Sequence, residues 1–334
     1  MAVSLPYFTG LFLAIVKYLP KQQQSRLDAI LAKYGTDTRL VVKAAWVLFA
    51  FGIVRSLNQF LNTWAMNHWR LSAHKGWDWS EEVAVVTGGA SGIGEKTVLG
   101  LVRKGVKVAI LDVQPPLHDL NVEGLRYYDC DITSPESVHR AASALRSDLG
   151  HPSILINNAG IQISKPILST DIDSVRKVFE VNTISHWITV NEFIPHMIKL
   201  NKGHIVTIAS LASFVALPSG ADYSASKASA LAFHESLSTE LKNIHKTPGV
   251  ITSVVHPSFV QTPLIENLSG QLKAAGVVLL SSELVAYKIL DQIFKRKGGQ
   301  IIIPERVSII STLRAWPNWM QELFRDRFGR ATSR

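Results

Sequence analysis

The chain has 334 residues, of which 47% are hydrophobic, and its formal net charge is +9. This length and composition are sufficient to bury a substantial core. The single cysteine, Cys130, excludes an intrachain disulfide and a four-cysteine zinc site, and its apolar surroundings favour a buried thiol in a reducing compartment. The positive charge suits nucleic acid, an anionic membrane surface or a soluble basic enzyme, and composition alone favours the last.

Two uncharged runs lie in the first eighty residues, from Met1 to Val16 and from Ala44 to Val54. Each is shorter than the roughly 20 apolar residues that a bilayer core requires, so we expect monotopic insertion rather than a span. Basic residues and tryptophans beside both runs are typical of a membrane headgroup boundary. The first run lacks a preceding basic region and a cleavage site, so we expect it to be retained. The alternative is a soluble helical extension packed on the main domain.

From Glu82 onward, short β-branched runs alternate with helical stretches, which is typical of βαβ units and a parallel sheet. Seven strands are predicted, at residues 83–86, 107–111, 125–129, 153–156, 204–209, 251–255 and 300–303. They indicate the α/β class, with one doubly wound Rossmann-type sheet and an N-terminal apolar helical extension.

Beyond Pro304 the apolar residues return to helical spacing, and Pro317 must end or kink that helix. The apolar stripe of this tail comprises Ile309, Leu313, Trp316, Met320, Leu323 and Phe324. We therefore expect three regions: a membrane-associated segment at 1–78, a Rossmann domain at 79–305 and an amphipathic extension at 306–334.

A glycine-rich turn, TGGASGIG from Thr87 to Gly94, follows the first strand and opens a predicted helix. Glycine permits a tight turn and close approach to a pyrophosphate, and the helix N-terminus supplies N–H groups and a positive dipole. Asp112 closes the second strand, where a carboxylate binds the adenosine ribose hydroxyls and repels a 2′-phosphate. No adjacent residue is basic, so the pattern predicts a dinucleotide site for NAD, with NADP less favoured.

Six motifs in this order resemble those of the short-chain dehydrogenase/reductase family. They are TGxxxGIG at Thr87–Gly94, Asp131 in CDIT, NNAG at Asn157–Gly160, Asn182 in VFEVNT, the stretch from Gly203 to Lys227, and Pro257–Thr262. The resemblance implies a nicotinamide-dependent oxidoreductase. The cofactor contacts it implies are Gly88, Ser91, Gly92, Ile93, Gly94, Asp112, Asp131, Ile132, Asn158, Ala159, Gly160, Tyr223, Lys227, Pro257, Val260 and Thr262.

Tyr223 is the expected catalytic acid/base. A free tyrosine has a pKa near 10, so a nearby cation must stabilise its phenolate, and Lys227 lies four residues later on the same helical face. The resemblance adds that this lysine holds the nicotinamide ribose. Ser210, at the family's spacing before Tyr223, is expected to hydrogen-bond the substrate oxygen, with Ser213 as its competitor. The resemblance also gives Asn182 a water-relay role, and a structural amide is the alternative.

The substrate cannot be read from motifs alone. The form PxFVxT and the apolar N-terminus resemble the membrane- and lipid-droplet-associated retinol dehydrogenase and 17β-hydroxysteroid dehydrogenase group, which implies a lipophilic alcohol such as a sterol, retinoid or long-chain alcohol. One departure is Ser258, where the family usually has glycine. Residues 264–280 are expected to form a mobile lid over the substrate pocket.

We expect attachment to the cytosolic face of the endoplasmic reticulum or to lipid droplets, no nucleic-acid partner, and a homodimer as an open alternative to a monomer. No metal is expected, because the histidines, His256 included, are not clustered with carboxylates at ligand spacing. Two other functions stay open: a soluble NADP-dependent carbonyl reductase, and a non-catalytic nucleotide-binding scaffold at a membrane surface. The intact Ser210, Tyr223 and Lys227 disfavour the scaffold.

Overall fold

A computed structural model describes residues 5–70, 76–116, 122–274 and 276–332 of the chain. The chain divides into two compact units, Met1–Trp69 and Arg70–Arg334.

Within residues 5–69, the first unit has three helices, α1 (Leu5–Tyr18), α2 (Lys21–Lys33) and α3 (Thr38–Met66). Helices α1 and α3 pack antiparallel and closely at two glycines. A Cβ atom on Gly10 would lie 2.9 Å from the ring of Phe49, and one on Gly52 would lie 2.9 Å from Cδ of Pro6. A larger side chain at Gly52 would meet the ring and the backbone nitrogen of Pro6 and would push the two helices apart.

Helix α3 is longer than the uncharged run within it. It has 29 residues and is the one described helix long and apolar enough to cross a membrane. At 1.5 Å per residue it extends about 43 Å, which exceeds the roughly 30 Å of a bilayer core. The length argument against a span is therefore wrong for this segment, because the helix continues through Lys43 and Arg55, where the uncharged run stops.

The second unit is built on a sheet of seven parallel strands in the order β3-β2-β1-β4-β5-β6-β9, and β7 pairs separately with β8. The strands are β1 (Val83–Thr87), β2 (Lys107–Asp112), β3 (Leu125–Asp129), β4 (Ile154–Asn157), β5 (Gly203–Ile208), β6 (Val250–Pro257), β7 (Val260–Gln261), β8 (Leu280–Ser281) and β9 (Gly299–Ile303). This confirms the predicted doubly wound sheet. Its strand order reverses between β1 and β4, and ligands bind such sheets at that point.

Helices cover both faces of the sheet. The described helices of this unit are α4 (Gly92–Val102), α5 (Pro135–Asp148), α6 (Ile172–Phe179), α7 (Ser185–Leu200), α8 (Ala221–Asn243), α9 (Ser269–Ala274), α10 (Ser282–Phe294) and α11 (Asn318–Thr332). Helices α4 and α10 pack on one face, and α5, α7 and α8 pack on the other. Successive strand residues belong to different cores: Val86 packs with α4 and α10, whereas Val85 packs with α5, α7 and α8. Because both faces are covered, the central strands β1, β4, β5 and β6 are buried along their whole length and are mostly apolar, which explains the apolar runs in the sequence.

The C-terminal extension breaks at Pro317, as predicted. A 3₁₀-helical segment covers Glu305–Ala315, and α11 follows. Leu313 is fully buried, whereas Ile309 and Leu323 are 61% and 63% exposed. The predicted apolar stripe is therefore only partly buried, because the first segment does not follow the α-helical period that defined the stripe.

Candidate active site

The glycine-rich turn leads from β1 into α4 at the point where the strand order reverses. Gly88 and Gly92 have φ angles of 62° and 56°, in the left-handed region that favours glycine. A Cβ atom on Gly94 would lie 2.1 Å from the carbonyl oxygen of Gly88. Helix α4 begins at Gly92, so its first N–H groups, which lack partners within the helix, face this turn. The turn therefore fits the phosphates of a dinucleotide.

Side chains from the loop after β4 hold this turn in place. The Asn158 amide nitrogen Nδ2 donates to the carbonyl oxygens of Thr87 at 3.0 Å and Gly88 at 2.9 Å. In return, Thr87 Oγ1 accepts from the backbone N–H groups of Asn158 at 3.0 Å and Ala159 at 3.1 Å. A Cβ atom on Gly160, the last residue of the NNAG motif, would lie 3.4 Å from Lys227 Nζ. The loop thus connects the glycine turn with the predicted catalytic lysine.

Two predicted cofactor carboxylates lie at the ends of neighbouring strands. Asp112 Oδ2 accepts from the N–H of Ala90 at 3.0 Å, and its Oδ1 accepts from the N–H of Gln114 at 3.1 Å. Each carboxylate oxygen has a second lone pair for a ligand hydroxyl. The Asp131 carboxylate accepts from the hydroxyl and N–H of Thr133, and these hydrogen bonds lower the pKa of Asp131. The side chain of Ile132 is buried in the core, so only its backbone is available to a cofactor.

Lys227 lies on α8, one turn after Tyr223, and is 2% exposed. Its Nζ donates to the carbonyl oxygen of Ile208 at 2.8 Å and lies 5.8 Å from the ring centroid of Tyr223. Burial lowers the pKa of Lys227 from 10.5 to about 8, so the ammonium is still charged at neutral pH. Lys227 therefore lies close to Tyr223, as the sequence predicted.

Ser210 follows the end of β5. Its Oγ accepts from the N–H of Ala212 at 3.1 Å and lies 3.5 Å from the carbonyl oxygen of Pro257. Burial raises the pKa of Tyr223, and hydrogen bonding with Ser210 acts in the opposite direction. Ser213 differs, because its hydroxyl donates to the backbone carbonyl of Lys227 at 2.8 Å. The geometry thus favours Ser210 over Ser213 as the serine beside Tyr223. The raised pKa of Tyr223 keeps its side chain a protonated phenol at neutral pH.

Asn182 lies in a π-helical turn, Glu180–Ile184, between α6 and α7, and is completely buried. Its Oδ1 accepts from the N–H of Ile161 at 2.8 Å, and its Nδ2 donates to the carbonyl of Ile161 at 2.8 Å and to Ser226 Oγ at 2.9 Å. Both amide hydrogens and one lone pair of Oδ1 are thus used in joining the NNAG loop to α8. These bonds support the structural alternative, and the water relay stays a prediction.

The segment after β6 reaches the glycine turn. Ser258 donates its backbone N–H to the carbonyl of Ile303 at 2.8 Å and has no left-handed φ, so serine replaces the usual glycine without strain. A Cβ atom on Gly92 would lie 3.1 Å from Cγ2 of Thr262. Pro257 ends β6 and Val260 begins β7, so the predicted contacts of this segment lie at the same edge of the sheet.

Two residues of this region were missed as parts of the site: His256, which the sequence raised only as a metal ligand, and Gln300. His256 lies on β6 directly before Pro257, and Gln300 lies on the adjacent strand β9. They are 44 residues apart in sequence, so no local spacing connects them. In the described ranges, no group of three or more histidine, cysteine or acidic side chains is placed to hold a metal. Cys130 is buried, which raises the pKa of its thiol to about 11.

A parallel sheet with a glycine turn at its switch point, and with serine, tyrosine and lysine gathered beside that turn, defines a nucleotide-dependent enzyme of the Rossmann class. Residues 82–273 match the family model of the short chain dehydrogenases. The chain belongs to the short-chain dehydrogenase/reductase family, whose fold binds NAD(H) or NADP(H), and it is an oxidoreductase.

Several curated relatives are similar to the chain. Dehydrogenase RED2 of Cochliobolus heterostrophus is 39% identical over 201 residues, which cover 60% of this chain and 75% of that protein. Human estradiol 17-beta-dehydrogenase 11 is 32% identical over 241 residues, 70% of this chain and 78% of the relative. Short-chain dehydrogenase/reductase family 16C member 6 of Bos taurus is 31% identical over 69% of this chain and 75% of its own length.

Solved structures share the fold. A short-chain dehydrogenase/reductase from Burkholderia phymatum in complex with NAD has a TM-score of 0.64 and 25% identity, over 75% of this chain and 97% of that one. A 3-ketoacyl-(acyl-carrier-protein) reductase from Brucella melitensis complexed with NADH has a TM-score of 0.61 and 21% identity, over 68% and 98% of the two chains.

Proposed function

We propose that this protein is an NAD-dependent oxidoreductase that interconverts a lipophilic alcohol and its carbonyl product, with Ser210, Tyr223 and Lys227 as its catalytic residues. The observation that carries the proposal is the buried Lys227 ammonium, which is anchored at 2.8 Å on the carbonyl of Ile208, two residues before Ser210, and lies 5.8 Å from the ring of Tyr223. Removing a charged group from water is energetically unfavourable, so a buried charge indicates a function or a binding partner.

The proposed roles follow from the chemistry of each group. The Tyr223 hydroxyl donates a proton to the substrate oxygen during carbonyl reduction, and its phenolate accepts one during alcohol oxidation. Ser210 supplies a hydrogen bond to the same oxygen as charge develops there. Lys227 stabilises negative charge on the phenolate. A bound nicotinamide dinucleotide supplies the hydride-transfer chemistry.

NAD is the proposed cofactor. The glycine turn and the N-terminus of α4 would hold the pyrophosphate, and Asp112, Asp131, Ile132 and the NNAG loop would hold the adenosine and nicotinamide halves. Asp112 is already oriented toward the turn by its hydrogen bond from Ala90. Its negative charge opposes the 2′-phosphate of NADP. The Burkholderia phymatum structure, which holds NAD, supports the same choice by fold likeness.

The proposed substrate is lipophilic. This rests on the similarity to estradiol 17-beta-dehydrogenase 11, a relative whose name gives a steroid substrate, and on the apolar first unit, which would bring the enzyme to a lipid phase. Large apolar side chains of α1 and α3 are exposed. They include Tyr7, Phe8, Leu11, Trp46, Val47, Phe51 and Val54.

We place the protein on the cytosolic face of the endoplasmic reticulum or on lipid droplets, with α1 and α3 inserted as a helical hairpin. Exposed apolar side chains in this number are unfavourable in water, and each contributes about 1.5–3 kcal/mol when it is buried. The antiparallel packing of α1 against α3 at Gly10 and Gly52 would hold the two apolar helices together during insertion.

The experiment that tests the proposed function is a turnover screen of the full-length protein in detergent or liposomes. Sterols, retinoids and long-chain alcohols are offered with NAD and with NADP side by side, and reduced cofactor is measured. Turnover of at least one lipophilic alcohol, faster with NAD, is the expected result. Cofactor binding with no turnover of any alcohol, or of the matching carbonyl compounds in reverse, would instead support the nucleotide-binding scaffold.

A further inference from the structure

His256 is completely buried on β6 and contacts the backbone of Ser210. Its Nδ1 lies 3.0 Å from the backbone carbonyl oxygen of Ser210, and its Nε2 lies 3.2 Å from Nε2 of Gln300 on β9. A carbonyl oxygen only accepts hydrogen bonds, and an amide nitrogen only donates them. Both contacts therefore require the same neutral tautomer, with the proton on Nδ1 and a free lone pair on Nε2.

The ring of His256 is also fixed by packing. The Phe214 ring lies 4.7 Å from it between centroids, at an angle of 46°. The backbone carbonyl of Phe214 in turn accepts from Arg314 Nε at 3.3 Å, so the C-terminal extension contacts the same loop. Burial lowers the pKa of His256 to about 4, which keeps the imidazole neutral under physiological conditions.

We propose that His256 is a positioning residue that holds the backbone of Ser210 through its Nδ1–H, and that Gln300 selects the tautomer that makes this possible. The inference rests on the proposed role of Ser210 in hydrogen-bonding the substrate oxygen. Ser210 Oγ is held by the N–H of Ala212 and lies near the carbonyl of Pro257, the residue after His256. Ser210 therefore contacts the end of β6 at two points: its backbone carbonyl lies against His256 Nδ1, and its Oγ lies near the carbonyl of Pro257.

Two amide substitutions of His256, which differ by one methylene group, separate positioning from simple packing. In His256→Asn the amide nitrogen occupies the place of Nδ1 and can still donate to Ser210, whereas in His256→Gln the amide reaches the place of Nε2 instead. We expect kcat to fall about 10- to 100-fold in His256→Gln, since misplacing a reacting group by about 1 Å costs that much. In His256→Asn we expect kcat within about threefold of wild type. NADH binding, measured by fluorescence, should be unchanged in both.

His204 provides the matched control. It is completely buried on β5, at the end of the strand away from Ser210, and its Nε2 contacts Ser253 Oγ at 2.8 Å. His204→Asn and His204→Gln should lower the melting temperature without reducing kcat. Equal kcat losses in the two His256 variants, or wild-type kcat in His256→Gln, would overturn the positioning role.

A second measurement needs no substrate. Selective ¹⁵N labelling of the histidines, with His256→Asn to assign the signal, reports the tautomer directly. We expect the proton on Nδ1 in the wild type. In Gln300→Met we expect a larger share of the Nε2-protonated form. Gln300 is suited to this substitution because it is exposed on the edge strand β9. An Nε2-protonated His256 in the wild type would overturn the inference even if no substrate for the enzyme is found. An unchanged tautomer in Gln300→Met would overturn the role of Gln300 in selecting it. An inactive wild type with the expected tautomers would contradict only the proposed function.

Discussion

Lys227 Nζ donates a hydrogen bond to the backbone carbonyl of Ile208 at 2.8 Å, and this joins helix α8 to the end of β5. The bond fixes this charged residue, which is 2% exposed, with its Nζ 5.8 Å from the ring centroid of Tyr223. Burial shifts the pKa of this lysine from 10.5 to about 8. Such a shift corresponds to roughly 3 kcal/mol of unfavourable free energy in the charged form.

Replacing Lys227 by methionine should therefore raise stability while it abolishes turnover. The folded state disfavours the protonated lysine, so between about pH 8 and 10.5 the unfolded chain binds more protons and wild-type stability rises with pH. We expect Lys227→Met to be more stable than wild type at pH 7, by up to about 3 kcal/mol, and this advantage to shrink toward pH 10.5.

Urea unfolding at a series of pH values measures this effect. Lys199→Met, on the exposed surface of α7, is the control and should follow the wild-type curve. A Lys227→Met protein that is less stable than wild type at pH 7 would show that the hydrogen bond to Ile208 outweighs the cost of burying the charge.

Asp112 should set the preference for NAD. Because both of its carboxylate oxygens already accept backbone N–H groups, Asp112→Asn is a gentler change than alanine: it removes the charge and keeps one acceptor. We expect the ratio of kcat/KM with NAD to that with NADP to fall about tenfold, which corresponds to about 1.4 kcal/mol.

Asp129, the register partner of Asp112 on β3, is the matched control for charge alone. Asp129→Asn should change kcat/KM with NAD and kcat/KM with NADP by similar factors. If the wild type uses NADP more efficiently than NAD, or if the two variants behave alike, direct recognition by Asp112 is contradicted.

The first unit should determine partition into membranes. Its boundary at Trp69 leaves Arg70 in the second unit, where its guanidinium donates to the carbonyl of Pro248 at 3.4 Å. We expect removal of residues 1–69 to move the protein from the membrane fraction to the soluble fraction.

Replacing Trp46 and Phe51 by lysine in the full-length chain should weaken sedimentation with liposomes, since both side chains are more than half exposed on α3. Replacing Arg26 and Lys33 of α2 by glutamine is the control for charge and should have a smaller effect. Full-length protein that stays soluble and monodisperse without detergent would contradict membrane attachment.

Most of the sheet could be predicted from the sequence, because fully buried parallel strands appear as apolar runs between turn residues. Strand β3 has the predicted bounds, and the other six differ by a residue or two at their ends. The two-residue strands β7 and β8 were not predicted, since two residues have no periodicity to detect. The extent of α3 was underestimated, because charge interrupts an apolar run without interrupting a helix.

Some residues of the site could likewise be predicted from the sequence, and others could not. The glycine turn and the Tyr223–Lys227 pair each lie within a short stretch of sequence, so the ordered motifs that resemble the family indicate them. The contacts of Asn182 with Ile161 and Ser226, and of His256 with Ser210 and Gln300, join distant segments. Only the folded chain brings those residues together.

The most direct test of the account is turnover by Tyr223→Phe, measured with NAD on whichever lipophilic alcohol the wild type oxidises best. Removing the phenolic hydroxyl should lower kcat about 10²- to 10⁴-fold and leave NADH binding nearly unchanged, because only the acid/base group is lost. Tyr287→Phe, at an exposed position of α10, should be as active as wild type. Wild-type turnover by Tyr223→Phe would contradict the proposed chemistry.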